Sequence, residues 1–265
     1  MSRRWQQVRH QLRRNRPAQF SLFVLFIFVV AALCAGLSPY DPDRMSLGAR
    51  TLPPDAAHWF GTDEYGRDYF TRALYGGQIS LMVGFLAMLF STLIGTVVGT
   101  VSGYFGGWLD NLMMRAVDIL MAIPAFFLLL VVNAYLKPGV DNIILIISLL
   151  TWMNMSRLVR AETLSVKERE YVLYARASGE HPLRIIVRHI IPGVLPTIIV
   201  AATLNIASAI LMESTLSFLG LGVQAPAASW LAMFPGILIL LTVFSFNVLG
   251  DVFRTAFEPG ANRDE

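Results

Sequence analysis

The sequence predicts an all-α, polytopic membrane protein with six transmembrane helices. Of its 265 residues 55% are apolar and only 15% charged, and the mean hydropathy is +0.58; a soluble domain needs about a quarter charged residues to wet its surface. The apolar residues are gathered into uncharged runs at Phe20–Leu37, Ala73–Leu109, Ile119–Leu136, Asn142–Ser156, Ile190–Met212 and Ser214–Gly250. A helix needs about 20 such residues to cross a bilayer. The remaining cations are sorted by side, as the spans below make plain.

The chain opens with a basic segment over residues 1–19, holding Arg3, Arg4, Arg9, Arg13, Arg14 and Arg16. Span one follows at 20–37. It is expected to be a retained helix, because it exceeds the roughly 7–15 residues of a signal peptide's apolar region and because bulky Leu33 stands where a lipoprotein cleavage site needs a small residue. Cys34 is the single cysteine, which excludes a disulfide scaffold, and its place in this run predicts that it packs as a small hydrophobe. The other spans are expected at 79–102, 114–136, 142–158, 190–212 and 231–250, with a tail over 251–265. With the N-terminus inside, sixteen of the 21 Lys/Arg fall on cytoplasmic segments, and Arg44, Arg50, Arg67, Arg72 and Lys137 fall outside. That asymmetry places both termini in the cytoplasm by the positive-inside rule. It also accounts for the pI near 9.2 without nucleic acid, since the cations flank apolar runs.

Between spans one and two, Pro39, Pro42, Pro53 and Pro54 predict an irregular external path. Within it Thr62-Asp63 is expected to cap a helix from about Glu64 into Ala73, with Arg67 and Arg72 on its wet side. In span two, Gly84, Gly95, Gly99 and Gly103 predict close helix packing, against this chain or a sister subunit. At the inner end of span three, Arg115 and Asp118 are three apart, which predicts an intrahelical pair, with a gating or substrate role as the alternative. Glu213 and Asp251 are expected at helix ends, capping or snorkelling. A short external segment from Glu213 to Trp230 separates the last two spans.

The cytoplasmic segment 157–189 is the most informative. From Arg157 to Ala177 it has helix formers and no Gly or Pro. Ser178-Gly179 then predicts a stop in the left-handed conformation, and Pro182 a new helix start. A solvated hairpin that merely connects two spans is the bland reading. A partner-docking hairpin is the preferred one, since Ala175, Ala177 and Gly179 offer small residues flanked by charge.

Leu173-Tyr174-Ala175-Arg176-Ala177-Ser178-Gly179, followed after nine residues by His189-Ile190-Ile191-Pro192, resembles the EAA loop of ABC importer permeases. Ala175, Gly179 and Pro192 match that signature and Ile191 replaces Leu, whereas Leu173, Tyr174 and His189 depart from its Glu, Ala and Ile. Phe60 to Asp68, Gly103 to Asp110, Met114 to Asp118 with Pro124, Leu216 to Gly222 and Phe246 to Asp251 resemble, in order, segments of the dipeptide, oligopeptide and nickel permease group. The connection after Gly222 is shorter than in that group, through loss of an external helix or omission of residues.

The resemblance implies an ABC type I importer permease, non-catalytic, pairing with a second homologous permease, two ATPase subunits and an extracytoplasmic substrate-binding protein. Tyr174, Ala175, Arg176, Ala177, Ser178, Gly179, Glu180 and Pro182 would couple to the ATPases, and Asp63, Gly66, Arg67 and Asp68 would form an outer-mouth element. ATP and Mg would belong to the partner ATPases. This chain is expected to hold no cofactor or metal, because a phosphate-binding loop needs Gly-Lys-Ser/Thr and neither Lys137 nor Lys167 follows Gly. Peptides are the expected cargo, with nickel or another small solute as the alternative. Two other classes fare worse. An ion-coupled transporter needs ionisable groups inside the membrane, and none lies well inside the expected spans. An intramembrane hydrolase needs a buried Ser-His or metal cluster, and His10, His58, His181 and His189 all fall outside them.

Overall fold

The computed structural model describes residues 2–124, 127–128, 131–132, 135, 139–219 and 233–257. Among these the regular structure is helical and residues 38–68 are mostly irregular, the one strand-like pairing being an isolated bridge between Thr62 and Asp68. Helix α1 (Ser2–Arg14) meets α2 (Arg16–Leu33) at Asn15, whose side chain accepts from the Ala18 N–H at 3.2 Å while Pro17 sits in the first turn. After residues 38–68 come α3 (Tyr69–Phe105), α4 (Gly107–Ala122), α5 (Val140–Val166), α6 (Glu170–Ala177), the short α7 (Pro182–Ile185), α8 (Ile191–Phe218) and α9 (Met233–Phe257).

Among the described residues five stretches are long and apolar enough to cross a membrane: Arg16–Leu33, Tyr69–Phe105, Val140–Val166, Pro182–Phe218 and Gly236–Phe257. The expected third span, 114–136, is interrupted. Helix α4 stops at Ala122 because Ile123 precedes Pro124 and takes an extended conformation, φ −80° and ψ 121°. Beyond it Leu128 and Val132 pack on the α3–α5 core, and residues 125–126, 129–130, 133–134 and 136 lie outside the described residues. The other helices outrun their apolar runs at one or both ends. At 37 residues α3 is about 55 Å long, more than a bilayer with its headgroups.

Helix α3 lies along α5, and α8 packs on α3, α5 and α9, while α2 closes the side against α3 and α9. The glycines of α3 set these spacings. A Cβ at Gly95 would lie 2.6 Å from the Cβ of Met155, one at Gly99 2.5 Å from the Ser156 carbonyl oxygen, and one at Gly103 2.8 Å from the Cβ of Thr163. The contact is therefore with this chain's own α5, and at Gly84 with Ile210 of α8. One buried cluster (Val83, Ala87, Ile147, Leu150, Leu216) fills the end near residues 38–68, and another (Tyr104, Val159, Val172, Ile185, Ile190, Val194) fills the hairpin end.

Several expectations are corrected here. Cys34 caps the end of α2 and is exposed on this chain, not packed within it. Glu213 is no helix end: α8 runs on to Phe218, and its carboxylate is 0% exposed, accepting from Ser80 Oγ of α3 at 2.9 Å and Ser217 Oγ at 2.8 Å. A carboxylate thus does lie within a membrane-crossing helix, satisfied by hydroxyl donors that the apolar-run reading could not see. Asp251 is likewise interior to a helix that reaches Phe257. The connection 223–231 and residues 258–265 lie outside the described residues.

Candidate functional site

At the hairpin end, α5 passes unbroken through Arg157 and Arg160 to Val166, turns at Lys167–Arg169, and restarts as α6. The continuous helix expected over 157–177 is therefore two. Lys167 enforces the break, its Nζ donating back to the Gly103 carbonyl at 3.0 Å and so tethering the turn to the end of α3. Helix α6 ends in a complete left-handed cap: Gly179 has φ +76°, its N–H donates to the Arg176 carbonyl, and the Glu180 N–H donates to the Ala175 carbonyl, each at 3.1 Å. His181 and Pro182 then start α7. The chain widens to a five-residue turn at Ile186–Ile190, where Pro192 can give no hydrogen bond and its ring crowds the preceding turn.

The coupling residues separate into two groups. Tyr174, Arg176, Ala177, Ser178 and Gly179 are exposed, Tyr174 at 76%, and exposed Leu183 and Val187 extend the surface. Glu180 and Pro182 are half-buried. Ala175 is buried at 7% with Val172 and Ile185, so it holds the hairpin together rather than presenting a surface. Two ties escaped sequence reasoning. Glu180 Oε2 and His189 Nε2 meet at 2.9 Å and close the hairpin, and the Arg176 guanidinium lies 5.3 Å from the Tyr104 ring centre on α3. The first was half legible, since His189 departs from the signature position by being polar.

Beside the hairpin, Asp118 pairs with Arg157 of α5 and not with Arg115, which is exposed on α4. One turn along α5, Arg160 grips Asp110 through Nε and Nη2, both at 2.6 Å. Hydrogen bonds from Arg160 hold the Asp110 carboxyl below its usual range, against the cost of burial. A depressed folded-state value stabilises above the unfolded one and is lost as pH falls through it. Asp110→Asn should therefore lower the thermal midpoint at pH 7, and the gap from wild type should close as the pH drops below about 4; a gap independent of pH would leave the ion pair without a role.

At the other end, residues 38–68 fold into a cap on α3. Asp63 organises it: Oδ1 accepts from the N–H groups of Tyr65 and Arg67, both at 2.9 Å, and Oδ2 from Arg67 Nε at 2.7 Å. Burial opposes this charge, but the hydrogen bonds from Arg67 and Tyr65 prevail and keep the Asp63 carboxyl below its usual range. Gly66 makes the turn at φ +73°. The expected helix from Glu64 does not form, because Asp63 closes a turn and Asp68 caps α3 instead, accepting from the Thr71 N–H at 2.7 Å. Arg67, expected in water, is 7% exposed. His58 Nδ1 meets Asp68 Oδ1 at 2.9 Å and pins the far loop to the same cap. Asp63, Gly66, Arg67 and Asp68 thus form one buried knot.

Long helices with exposed aromatic and aliphatic surfaces, a folded cap over residues 38–68 at one end and a capped hairpin at the other define an integral membrane protein of the helical class. Residues 95–263 match the family described as binding-protein-dependent transport system inner membrane component, and residues 3–54 match the N-terminal TM domain of oligopeptide transport permease C. The dipeptide transport system permease protein DppC of Bacillus subtilis (strain 168) is 42% identical over 271 residues, which cover 96% of this chain and 85% of the relative. The oligopeptide transport system permease protein OppC of the same organism is 37% identical over 272 residues, 96% of this chain and 89% of the relative. The glutathione transport system permease protein GsiD of Shigella flexneri serotype 5b (strain 8401) is 39% identical over 273 residues, 96% and 90% respectively. The chain belongs to the family of binding-protein-dependent transport system inner membrane components. It is a membrane permease subunit of an importer.

Proposed function

We propose that this permease moves peptides inward as half of a two-permease pathway, with a second homologous permease, two ATPase subunits that hold the ATP and Mg, and an extracytoplasmic substrate-binding protein. The observation that carries the reading is the hairpin: a rigidly capped turn whose exposed face, Tyr174, Ala177, Leu183 and Val187, is anchored through Lys167 and Arg176 to the end of α3. A force on that face is passed into the longest helix contact of the bundle. Cargo is assigned from the relatives named for dipeptide, oligopeptide and glutathione transport. Chain 20–250 forms the permease body between a basic segment over 1–19 and a tail over 251–265, both cytoplasmic in the bacterial inner membrane. The exposed Asp118–Arg157 pair, beside Arg115, braces α4 against α5 and lies where gating movements would be felt. Asp63, Gly66, Arg67 and Asp68 shape the outer mouth that faces the binding protein. The chain itself performs no catalysis.

The test is assembly and topology together. With Cys34 replaced, single cysteines near Asp55 and near Glu168 are expected to react with an impermeant thiol reagent from opposite sides of sealed vesicles. The purified chain alone should neither hydrolyse ATP nor concentrate peptide, and both activities should appear when the partner permease, ATPases and binding protein are added. Labelling from one side, or uptake driven by a proton gradient with this chain alone, would remove the reading.

A further inference from the structure

The basic segment has a use that the importer reading does not absorb. From Gln6 to Arg14, the exposed residues of α1 are Gln6, Gln7, Arg9, His10, Arg13 and Arg14, and all are polar. The apolar side is already taken: Val8 is 4% exposed, and α1 packs on α9 and α2. No acidic residue occurs before Asp41. The orientation is fixed by the elbow at Asn15, where the Asn15 N–H donates to the Gln11 carbonyl at 2.9 Å and Gln19 Nε2 donates to the Arg13 carbonyl at 2.7 Å. One turn beyond Arg16, about 6 Å along α2, begins a face of Phe20, Phe23 and Phe26, each more than half exposed, an apolar surface suited to lipid chains.

We propose that the exposed basic face of α1 binds anionic lipid headgroups. The arginines are held at the level where the lipid-facing side of α2 begins, which is where phosphates lie. A protein interface needs an apolar centre with polar groups around it, and this face offers none; it offers closely spaced cations without apolar anchors, the pattern that anionic membrane surfaces attract. The apolar side of α1 rests on the bundle, so headgroup binding also pins α1 against α9 and steadies the start of α2.

The experiment uses the full-length chain in nonionic detergent, titrated with phosphatidylglycerol or phosphatidylcholine, with bound lipid counted by native mass spectrometry. The unmodified chain is expected to prefer phosphatidylglycerol by at least about thirtyfold at low salt, with the preference falling toward unity at roughly 0.5 M salt. Each cation near a surface contributes about fivefold. Arg9→Gln with Arg13→Gln should therefore weaken phosphatidylglycerol binding about thirtyfold and leave phosphatidylcholine unchanged, while Arg9→Lys with Arg13→Lys stays within about twofold of wild type. Equal affinity for the two lipids in the unmodified chain would overturn the proposal, whatever becomes of the variants. So would undiminished phosphatidylglycerol binding by the Gln variant, the outcome expected if this face serves a protein partner.

Discussion

Gly179→Arg is expected to abolish substrate-stimulated ATP hydrolysis and peptide uptake in the assembled importer while leaving membrane insertion and permease pairing intact. The left-handed φ of +76° costs a non-glycine residue about 1 kcal/mol or more, too little to unfold a bundle of this size. A Cβ there meets nothing within 4 Å in this chain, so an added side chain points away from the fold, onto the surface that includes Tyr174 and Ala177. The damage is then a matter of bulk and charge at a contact. Gly179→Asn separates the two causes, because Asn tolerates the left-handed region and stays short: it should keep most of the coupling that Arg loses. Arg and Asn variants that both transport at the wild-type rate would reduce the hairpin to a connector.

The legible part of the molecule was the part written in runs and breakers. Apolar runs located the five membrane-crossing helices among the described residues but not the break before Pro124 in the expected third span, and Ser178-Gly179 and Pro182 marked a turn that the chain makes with a full cap. Helix ends were misplaced because a charge ends an apolar run without ending a helix: Arg157 and Arg160 continue α5, each neutralised by an Asp on α4. Those partners are 39 and 50 residues away, and no periodicity within one helix can reveal a pairing made across two. Glu213 shows the same limit, its nearest hydroxyl outside α8 coming from Ser80, 133 residues earlier. Between the first two spans Asp63 reads as a helix cap and Asp68 only as part of the outer-mouth element, yet both are buried and the capping role falls to Asp68. Either Asp satisfies the capping rule. The choice between them follows from Gly66, whose positive φ bends the chain between them.

That bend leads to the expected result for Gly66→Ala, a loss of the external cap with the helical bundle retained. Its φ of +73° already disfavours alanine, but strain is the smaller part. The added Cβ would lie 1.8 Å from the Ser46 carbonyl oxygen and 2.8 Å from its carbon. These are backbone atoms in the strand of chain that the cap folds around, held in place because the Ser46 N–H donates to the Tyr65 carbonyl at 3.0 Å, so no side-chain rotation can relieve the overlap. Residues 46 and 65 must separate, which takes the Tyr65 and Arg67 N–H groups off Asp63 and leaves a buried carboxylate without its donors. Added protease should then cut Gly66→Ala within residues 39–67 from the outside, where the wild type resists, and binding-protein-dependent uptake should fall with it. Gly48→Ala is the matched control in the same segment, since a Cβ there meets nothing within 4 Å and its φ is not positive. Equal protease resistance in Gly66→Ala and Gly48→Ala would mean that the knot at Asp63 does not hold the cap, and the outer-mouth role assigned to Asp63, Arg67 and Asp68 would go with it.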